Sequence, residues 1–507
     1  MYTDLLLKST AFAAAAMALA CSCDGTGSDV PEPETPDMER PVEMVTDAYT
    51  AYPSGVNACV DSYLTIDFES APELGTQGSI FILDGDGRIA DEIDMADVAS
   101  GKPGMTSSTV FNTAMDAIGS SASGYYRIVY YDPAVVSGNT VTIRLHSGKL
   151  DYGKEYSVVI EEGAVVADGF GGISAGEWTF TVMPQPEKDG EVTVGSRDCD
   201  FMTVQGAVNF ANSCGQSRDM TISVTAGIYE EQLYIRNKDN LTIRGESPES
   251  TIIRFDNCND YINGVGSGVQ SVPEYGEPVG RTGGRSVVLV ENCDMLRLEG
   301  LTLENTHGDG SQAETIYFNC DNGRLVAVNC IFTSEQDTIE LKGKSVFDGC
   351  TVTGDVDFIW GYPEAALFSD CEIRSCASGR GYIVQARCGS GDLGFVFLDC
   401  RLTAESGVAD GSVYLARSGG NASEYDNVTY ADCRMGGHIA DEGWYPSPAP
   451  TPSAATAGNG WKEYGSRNTS GVIMDVSSRY HGSRQLSLEE YGQLQEKLET
   501  EFSFYRL

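Results

Sequence analysis

The chain has 507 residues, with 33 Lys and Arg against 74 Asp and Glu, and so carries a formal net charge of −41. So large a negative charge argues against nucleic acids and anionic membrane surfaces as partners. The 58 glycines and the scarcity of runs with helical periodicity indicate a β-rich protein of about two or three structural units.

Residues 1–23 have the features of an export signal. Lys8 precedes an apolar run from Ser9 to Ala20, which is too short to span a bilayer as a helix. Cys21 and Cys23 follow small residues and resemble the acylated cysteine of a bacterial lipoprotein, so we expect one of them to carry a lipid anchor. The alternative is simple secretion. We therefore expect an exported bacterial protein, an outer-membrane lipoprotein, that meets a membrane only through this anchor.

Two units are predicted between the export signal and residue 186. Residues 24–41 are rich in Pro, Glu and Asp, which predicts a flexible tether. In residues 42–185 short apolar runs such as Leu64–Phe68, Tyr126–Tyr131 and Trp178–Val182 alternate with turn residues, which predicts a β-sandwich of about seven strands. This segment resembles bacterial Ig-like domains, and we expect it to be a spacer or a carbohydrate contact.

Residues 186–507 show the pattern of a parallel β-helix. An apolar helix face at positions 204, 207, 208 and 211 is predicted to cap the first coil. Cys330, Cys350 and Cys371 recur at intervals of 20 and 21 residues, the length of a three-faced coil. We expect these cysteines to stack in the core as small apolar residues, rather than as disulfides or metal ligands. The four histidines are scattered singly, so no metal site is expected.

Two aspartates occupy the same phase of this repeat. Asp337 follows Cys330 by seven residues, and Asp357 follows Cys350 by seven. In a β-helix their backbones would lie roughly 5 Å apart, one above the other. Paired carboxylates suit nucleophilic and acid–base catalysis, although an aspartate in a turn often only accepts hydrogen bonds from backbone amides.

Short motifs follow one another in the same segment. They are Gly227-Ile228-Tyr229-Glu230-Glu231, Gln312-Ala313, Gln336-Asp337-Thr338, Asp357-Phe358-Ile359-Trp360-Gly361, Gln385-Ala386-Arg387, Leu415-Ala416-Arg417-Ser418 and Gly443-Trp444. Their order and spacing resemble the pectin methylesterase family. The resemblance implies a right-handed parallel β-helix that hydrolyses the methyl esters of polygalacturonate without a cofactor. Its partner would be methyl-esterified pectin, and we expect a monomer.

The resemblance also implies a role for each matching residue. Asp357 would be the nucleophile and Asp337 the general acid and base, while Gln312 and Gln336 would donate hydrogen bonds to the oxyanion and Arg417 would hold Asp357.

Further residues of the motifs are candidates for binding the sugar chain. These are Trp360, Gln385, Arg387, Tyr229 and Trp444. The tryptophans could stack on sugar faces or simply pack, and Gln385 and Arg387 could contact substrate or lie at the edge of a side-chain ladder. The tryptophan that follows Arg-Pro in the family is absent, since Ser418-Gly419-Gly420 follows Arg417, which leaves one wall of the groove undefined. Two other functions stay open, namely a β-helix polysaccharide lyase or glycosidase and a non-catalytic surface glycan-binding protein.

Overall fold

The computed structural model describes residues 39–506, apart from residues 103, 107, 189, 280–282, 309 and 377–378. The predicted signal sequence, the candidate anchors Cys21 and Cys23 and nearly all of the tether lie outside the described residues. Among the helices that the structure describes, none is long and apolar enough to cross a membrane.

The first part of the chain consists of short strands and one short helix. These elements are β1 (Val42–Val45), β2 (Tyr49–Ala58), β3 (Leu64–Phe68), β4 (Glu73–Leu74), β5 (Ser79–Asp84), β6 (Ile89–Asp94), α1 (Met95–Ala99), β7 (Met115–Ser120), β8 (Tyr125–Tyr130), β9 (Ala134–Ser137), β10 (Thr140–Ile143), β11 (Glu155–Ile160), β12 (Val165–Val166) and β13 (Ile173–Val182).

Most of these strands form a sandwich of two layers joined at β2. One layer has the order β1, β2, β3, β10, β9, and the other has the order β6, β5, β11, β13, β2. Alternate side chains of both layers, among them Leu64, Val141, Val158 and Phe180, meet in one buried core. The predicted β-sandwich is confirmed, and the resemblance to Ig-like domains stays a prediction.

Strands β7 and β8 do not belong to the sandwich. They pair with each other as an antiparallel hairpin and with no strand of either layer. The prediction that Tyr126–Tyr131 forms a sandwich strand is therefore wrong. The reason is that Ile118 and Val129 of the hairpin are buried against Tyr234 and Leu289 of the second part of the chain.

The second part of the chain is a solenoid of parallel strands, with one helix near its start and another at the C-terminus that packs on its side. Its elements are β14 (Glu191–Val194), α2 (Val204–Ser213), β15 (Met220–Val224), β16 (Gly227–Glu230), β17 (Leu233–Arg236), β18 (Leu241–Gly245), β19 (Thr251–Phe255), β20 (Val288–Glu291), β21 (Leu296–Glu299), β22 (Thr302–Asn305), β23 (Ile316–Asn319), β24 (Arg324–Val328), β25 (Ile331–Thr333), β26 (Ile339–Asp348), β27 (Thr351–Gly354), β28 (Val356–Ser369), β29 (Glu372–Ser375), β30 (Gly381–Ala386), β31 (Gly394–Leu398), β32 (Arg401–Ala404), β33 (Val413–Arg417), β34 (Val428–Ala431), β35 (Arg434–Met435), β36 (Trp444–Tyr445), β37 (Trp461–Tyr464), β38 (Arg467–Asn468), β39 (Arg484–Gln485), α3 (Leu488–Glu501) and a 3₁₀ helix (Ser503–Arg506).

The strands stack into three parallel faces, as a β-helix requires. The face that carries the site, here called the front face, consists of β17, β20, β23, β26, β28, β30, β33 and β36. A second face runs from β14 and β15 to β37 and β39, and the third from β16 to β38. The long strands β26 and β28 run from the front face into the second one, since their first residues pair with β23 and β30 and their last with β24 and β31. The predicted parallel β-helix is confirmed.

Helix α2 covers the apolar end of the first coil, as predicted. It begins after Thr203, whose hydroxyl accepts a hydrogen bond from the Gly206 amide at 2.9 Å. The four positions of its predicted apolar face are all buried in the solenoid core.

The cysteines of the repeat form a ladder in that core. Cys330, Cys350 and Cys371 are buried, and the Cys371 thiol donates to the Phe347 carbonyl of the coil below at 3.3 Å. All cysteines among the described residues are free. The residue before each ladder cysteine has a positive φ, for example 50° at Asp370, and Asn, Asp and Gly are the residues that tolerate this conformation best. That requirement explains the sequence pattern around the cysteines.

Candidate active site

Asp337 and Asp357 stack on neighbouring coils of the front face. Ile339 pairs with Ile359 in the parallel register of β26 and β28, and the same register places Asp337 beside Asp357. Both aspartates have positive φ, 63° and 49°. The two residues are 4% and 5% exposed. The structure thus brings the two predicted catalytic carboxyls together in a nearly dry environment.

β28 has a bulge at Asp357. Between Val356 and Ile359, β28 has one residue more than its partner β30. Because of the extra residue, the consecutive side chains of Phe358 and Ile359 can both lie in the core after Asp357.

Arg417 and Gln385 hold the carboxyl of Asp357. Arg417 Nε lies 2.7 Å from Oδ1 and 3.0 Å from Oδ2, and its Nη2 also contacts Oδ2. Gln385 Nε2 donates to Oδ2 at 2.7 Å. Paired guanidinium contacts and an amide donor favour the ionised carboxylate.

Asp337 lies in a different network, built around Arg285. Arg285 Nη2 is 3.1 Å from Asp337 Oδ2, but its Nε is shared by both oxygens of Glu314 at 2.7 and 2.9 Å. The cation that faces Asp337 is therefore already paired with a second buried carboxylate.

The two carboxyls consequently differ in acidity. Burial raises the pKa of Asp337 well above its usual range, and the charges of Glu314 and Asp357 raise it further against the opposing charge of Arg285. Burial also raises the pKa of Asp357, but there the hydrogen bonds and the charge of Arg417 work in the opposite direction. A single proton shared by the pair is better accommodated on Asp337.

Glu340 is a further buried acid beside this network. Burial and the neighbouring charge of Glu314 raise the pKa of Glu340 to about 9, so the group is neutral at pH 7. Its Oε2 has no hydrogen-bond partner among the residues that the structure describes. Glu340 lines the cleft next to Trp360, its partner in the register of β26 and β28.

Of the two predicted oxyanion donors, Gln336 directly precedes Asp337 and Gln312 belongs to the preceding coil. Gln312 is half-buried, and its Oε1 accepts a hydrogen bond from Arg285 Nη1 at 2.7 Å. Because its oxygen is engaged in this way, the NH₂ group of Gln312 is the one left to donate. Gln336 is also half-buried, and its backbone carbonyl accepts from the Ala313 amide at 3.2 Å.

The cleft next to these groups has a volume of about 630 Å³, within the range of small-ligand sites. Gln312, Trp360 and Arg387 line it. The Arg387 guanidinium carbon lies 4.9 Å from the Trp360 ring centroid, and its Nη1 donates to the Tyr362 hydroxyl at 2.8 Å.

Three tyrosines that the sequence analysis did not identify lie near Arg417 on the front face. Tyr382, Tyr414 and Tyr445 come from β30, β33 and β36, and the ring centroids of Tyr382 and Tyr414 are each 5.1 Å from that of Tyr445. The Arg417 guanidinium carbon is 4.6 Å from the Tyr382 centroid. An aromatic surface of this kind suits the apolar faces of sugar rings.

Three of the predicted substrate-binding residues do not face the cleft as expected. Trp444 has no exposed surface and stacks on Trp461 in the core, so it cannot contact a sugar. Tyr229 is only 7% exposed, belongs to β16 on the third face, and donates its hydroxyl to the Thr225 carbonyl. Gln385 uses both ends of its amide inside the protein, because its Oε1 accepts from Arg387 Nε at 2.9 Å. These three predictions are corrected accordingly.

Sequence reasoning also missed Arg285, Glu314 and Glu340. Arg285 is 52 residues away from Asp337 along the chain and belongs to no motif. A signal for Glu340 exists in retrospect, since it interrupts the apolar run of a strand at an outward-facing position between Ile339 and Leu341. Among the described residues, no group of three or more His, Cys, Asp or Glu side chains is arranged to hold a metal ion.

Comparison with known proteins shows that this chain is similar to members of one family. A family model described as Pectinesterase matches residues 191–479, and the β-sandwich lies outside that match. Pectinesterase 31 from Arabidopsis thaliana is 31% identical over 256 residues, which cover 48% of this chain and 73% of that protein. Probable pectinesterase A from Aspergillus niger is 30% identical over 294 residues, covering 57% and 80%.

A solved structure of the pectin methylesterase from Aspergillus niger in deglycosylated form is also similar. It has 25% sequence identity and a TM-score of 0.47, and the match covers 60% of this chain and 92% of that one.

Proposed function

The chain belongs to the pectinesterase family, and from that premise we propose that Asp357 and Asp337 hydrolyse the methyl esters of pectin. One observation carries this assignment of roles. Of two stacked, buried carboxyls, Asp357 is held by Arg417, while Asp337 shares its arginine with Glu314. An ionised nucleophile and a protonated acid are therefore provided side by side.

In the first half of the reaction an oxygen of ionised Asp357 attacks the carbonyl carbon of the ester. The carbonyl π electrons move to oxygen, and the NH₂ groups of Gln312 and Gln336 donate to that oxyanion. Each such donor typically lowers the barrier by about 3 kcal/mol. When the intermediate collapses, the bond to the methoxy oxygen breaks and Asp337 gives its proton to the departing methanol.

In the second half, water releases the acyl group. Asp337, now ionised, takes a proton from water while the water oxygen bonds to the acyl carbon. The bond to Asp357 breaks and returns the electron pair to its carboxylate. Ester and water have become acid and methanol, and both aspartates are in their starting states.

The cleft residues receive distinct roles in this proposal. Trp360 and Arg387 contact the sugar, because both line the cavity. Gln385 is a positioning residue that fixes the orientation of Asp357 through the hydrogen bond between them.

The test is a product assay with highly methylated pectin. Methanol release without new reducing ends or unsaturated products supports the esterase. Chain breakage without methanol would instead indicate a polysaccharide lyase or glycosidase, and binding without any product would indicate a glycan-binding protein.

The cellular location is a separate part of the proposal. The chain is exported and anchored through an acylated Cys21 or Cys23, with the esterase acting as a monomer at the cell surface or in the periplasm. Labelled palmitate should be incorporated by the native chain and lost on Cys21→Ser with Cys23→Ser. Incorporation by the double variant would contradict the anchor, and light scattering would test the monomer.

A further inference from the structure

A long insertion between β19 and β20 joins the solenoid to the N-terminal part of the chain. It spans residues 256–287, and its described residues pair with the segment around the β7–β8 hairpin. Tyr126 and Val269 exchange two backbone hydrogen bonds of 2.6 Å, and the Met105 amide donates to the Tyr261 carbonyl at 2.7 Å. Hairpin and insertion thus form one continuous structure, here called the wall.

Arg127 fixes the wall to the solenoid. This hairpin residue has no exposed surface. Its Nη1 donates to the Leu233 carbonyl at 2.8 Å and its Nε to the Gly283 carbonyl at 2.6 Å, and further contacts reach the carbonyls of residues 284, 286 and 287. Because a buried guanidinium requires all these acceptors, the wall has a defined position.

One row of outward-facing side chains shows what the wall covers on the front face. By strand register the row runs through Tyr234, Leu289, Tyr317, Glu340, Trp360 and Gln385. The first three are 1%, 0% and 4% exposed, and they pack with Ile118 and Val129 of the hairpin. The same row then becomes the floor of the cleft, where Tyr317, Glu340 and Trp360 line the cavity.

The two ends of the cleft are therefore different. At the wall, Gly264 and Val265 of the insertion line the cavity, and Val265 packs against the cluster under the hairpin. In the other direction the front face continues past Asp357 to Arg417 and to the half-exposed Tyr414 and Tyr445. Among the residues that the structure describes, a ligand lying along the row meets the wall at one end and the tyrosines at the other.

We infer that the wall makes the cleft one-ended, so that the enzyme hydrolyses ester groups at the end of a polygalacturonate chain before internal ones. The inference rests on the proposed function and adds a specificity-determining role for the N-terminal part of the chain. The terminal sugar occupies the cavity against Val265, and the rest of the chain lies over Tyr382, Tyr414 and Tyr445.

The test uses fully methyl-esterified oligogalacturonides of defined length and the native chain. Tandem mass spectrometry locates the first free carboxyl. We expect a terminal ester to be hydrolysed at least about tenfold faster than an internal one, because only the terminal sugar fits against the wall. Equal rates at terminal and internal positions, as for a chain bound across the row, would overturn the inference alone. Absence of methanol from every substrate would overturn the proposed function with it.

A variant of the wall gives a second measurement. Val265→Trp fills the cavity at its closed end and should lower kcat/KM for the oligogalacturonides about tenfold or more. Val166→Trp, at a 53% exposed position on strand β12 in the N-terminal part of the chain, is the matched control and should leave the rate unchanged. An unchanged kcat/KM for folded Val265→Trp would also contradict the inference.

Discussion

Arg417 and Arg285 each contact one of the two aspartates, but only Arg285 also contacts Glu314. Two aspartates at equivalent positions of a repeat therefore have different charged neighbours. The difference comes from partners that lie far apart along the chain, since Arg417 is 60 residues from Asp357 and Arg285 is 52 from Asp337.

The first prediction at this scale concerns the pH dependence of kcat/KM. The proposed mechanism requires ionised Asp357 and protonated Asp337, so the profile should be bell-shaped. Both limbs should lie above the usual pH range of aspartate because burial raises both pKa values. Arg417→Gln removes the charge that opposes this rise at Asp357, so its acidic limb should move to higher pH. Arg244→Gln, which alters an exposed arginine paired with Glu299, is the control. An acidic limb that stays in place or moves down in Arg417→Gln would contradict the assignment.

The second prediction concerns the stability contributed by Glu340. Below a pH of about 4.5 this carboxyl is protonated in both the folded and the unfolded chain. As the pH rises, Glu340 ionises first in the unfolded chain, because burial raises its pKa in the folded chain to about 9. The native protein therefore loses stability as the pH rises from about 4.5 toward 9. Glu340→Gln should therefore raise the free energy of unfolding at pH 7 by up to about 3 kcal/mol and change little at pH 4. Denaturant unfolding at the two pH values measures the difference.

Glu405→Gln, at an exposed position, is the control for that experiment and should change neither value. A stabilisation by Glu340→Gln that was equal at both pH values would rule out ionisation as its cause.

At the scale of elements, periodic features were predictable from the sequence and contacts between distant segments were not. The spacing of Cys330, Cys350 and Cys371 predicted the coil, because stacking repeats the same environment every turn. The same regularity paired Asp337 with Asp357, whereas Arg417 was predicted only from the resemblance of its motif to the family. Trp444 was misjudged because a tryptophan at a strand end fits both a sugar platform and a core, and only its stacking on Trp461 decides between them.

The hairpin could not be predicted for a related reason. Its alternation of apolar residues is that of any half-buried strand, and the pattern does not reveal what covers the apolar side. In the structure that cover is the front face of the solenoid, which lies more than a hundred residues further along the chain at Tyr234 and Leu289.

A prediction at this scale concerns the cysteine ladder. Because the described cysteines are free, thermal unfolding should occur at the same temperature with and without dithiothreitol. Cys371→Ala should lower the free energy of unfolding by about 1 kcal/mol, since it leaves a small cavity in a packed row. Cys376→Ala, at a half-buried position, is the control and should cost less. A large drop in the unfolding temperature in dithiothreitol would show that a disulfide supports the fold.

At the scale of the whole molecule, the N-terminal part and the solenoid share buried surface. From Glu39 onward the chain forms one compact unit. A role as a simple spacer does not fit this arrangement, because the hairpin covers Leu289 and Tyr317 and Arg127 binds the Leu233 carbonyl of the solenoid.

We therefore predict that a chain beginning at residue 186 is less stable than the full chain. Removal of the hairpin exposes apolar side chains of the front face and of the insertion, which favours association. Size-exclusion chromatography should show aggregates, or the unfolding temperature of the remaining monomer should fall by several degrees. A monomer with the unfolding temperature and oligogalacturonide rates of the full chain would show that the N-terminal part contributes neither stability nor specificity.

The most direct test of the central claim is methanol release from highly methylated pectin by Asp357→Asn. Asparagine tolerates the positive φ of 49° at this position, so the fold should be retained, which circular dichroism can verify. Asp370→Asn, at an exposed turn with a φ of 50°, is the matched control and should release methanol at the native rate. We predict that Asp357→Asn loses methanol release entirely, and a folded variant with near-native rates would contradict the assignment of Asp357 as the nucleophile.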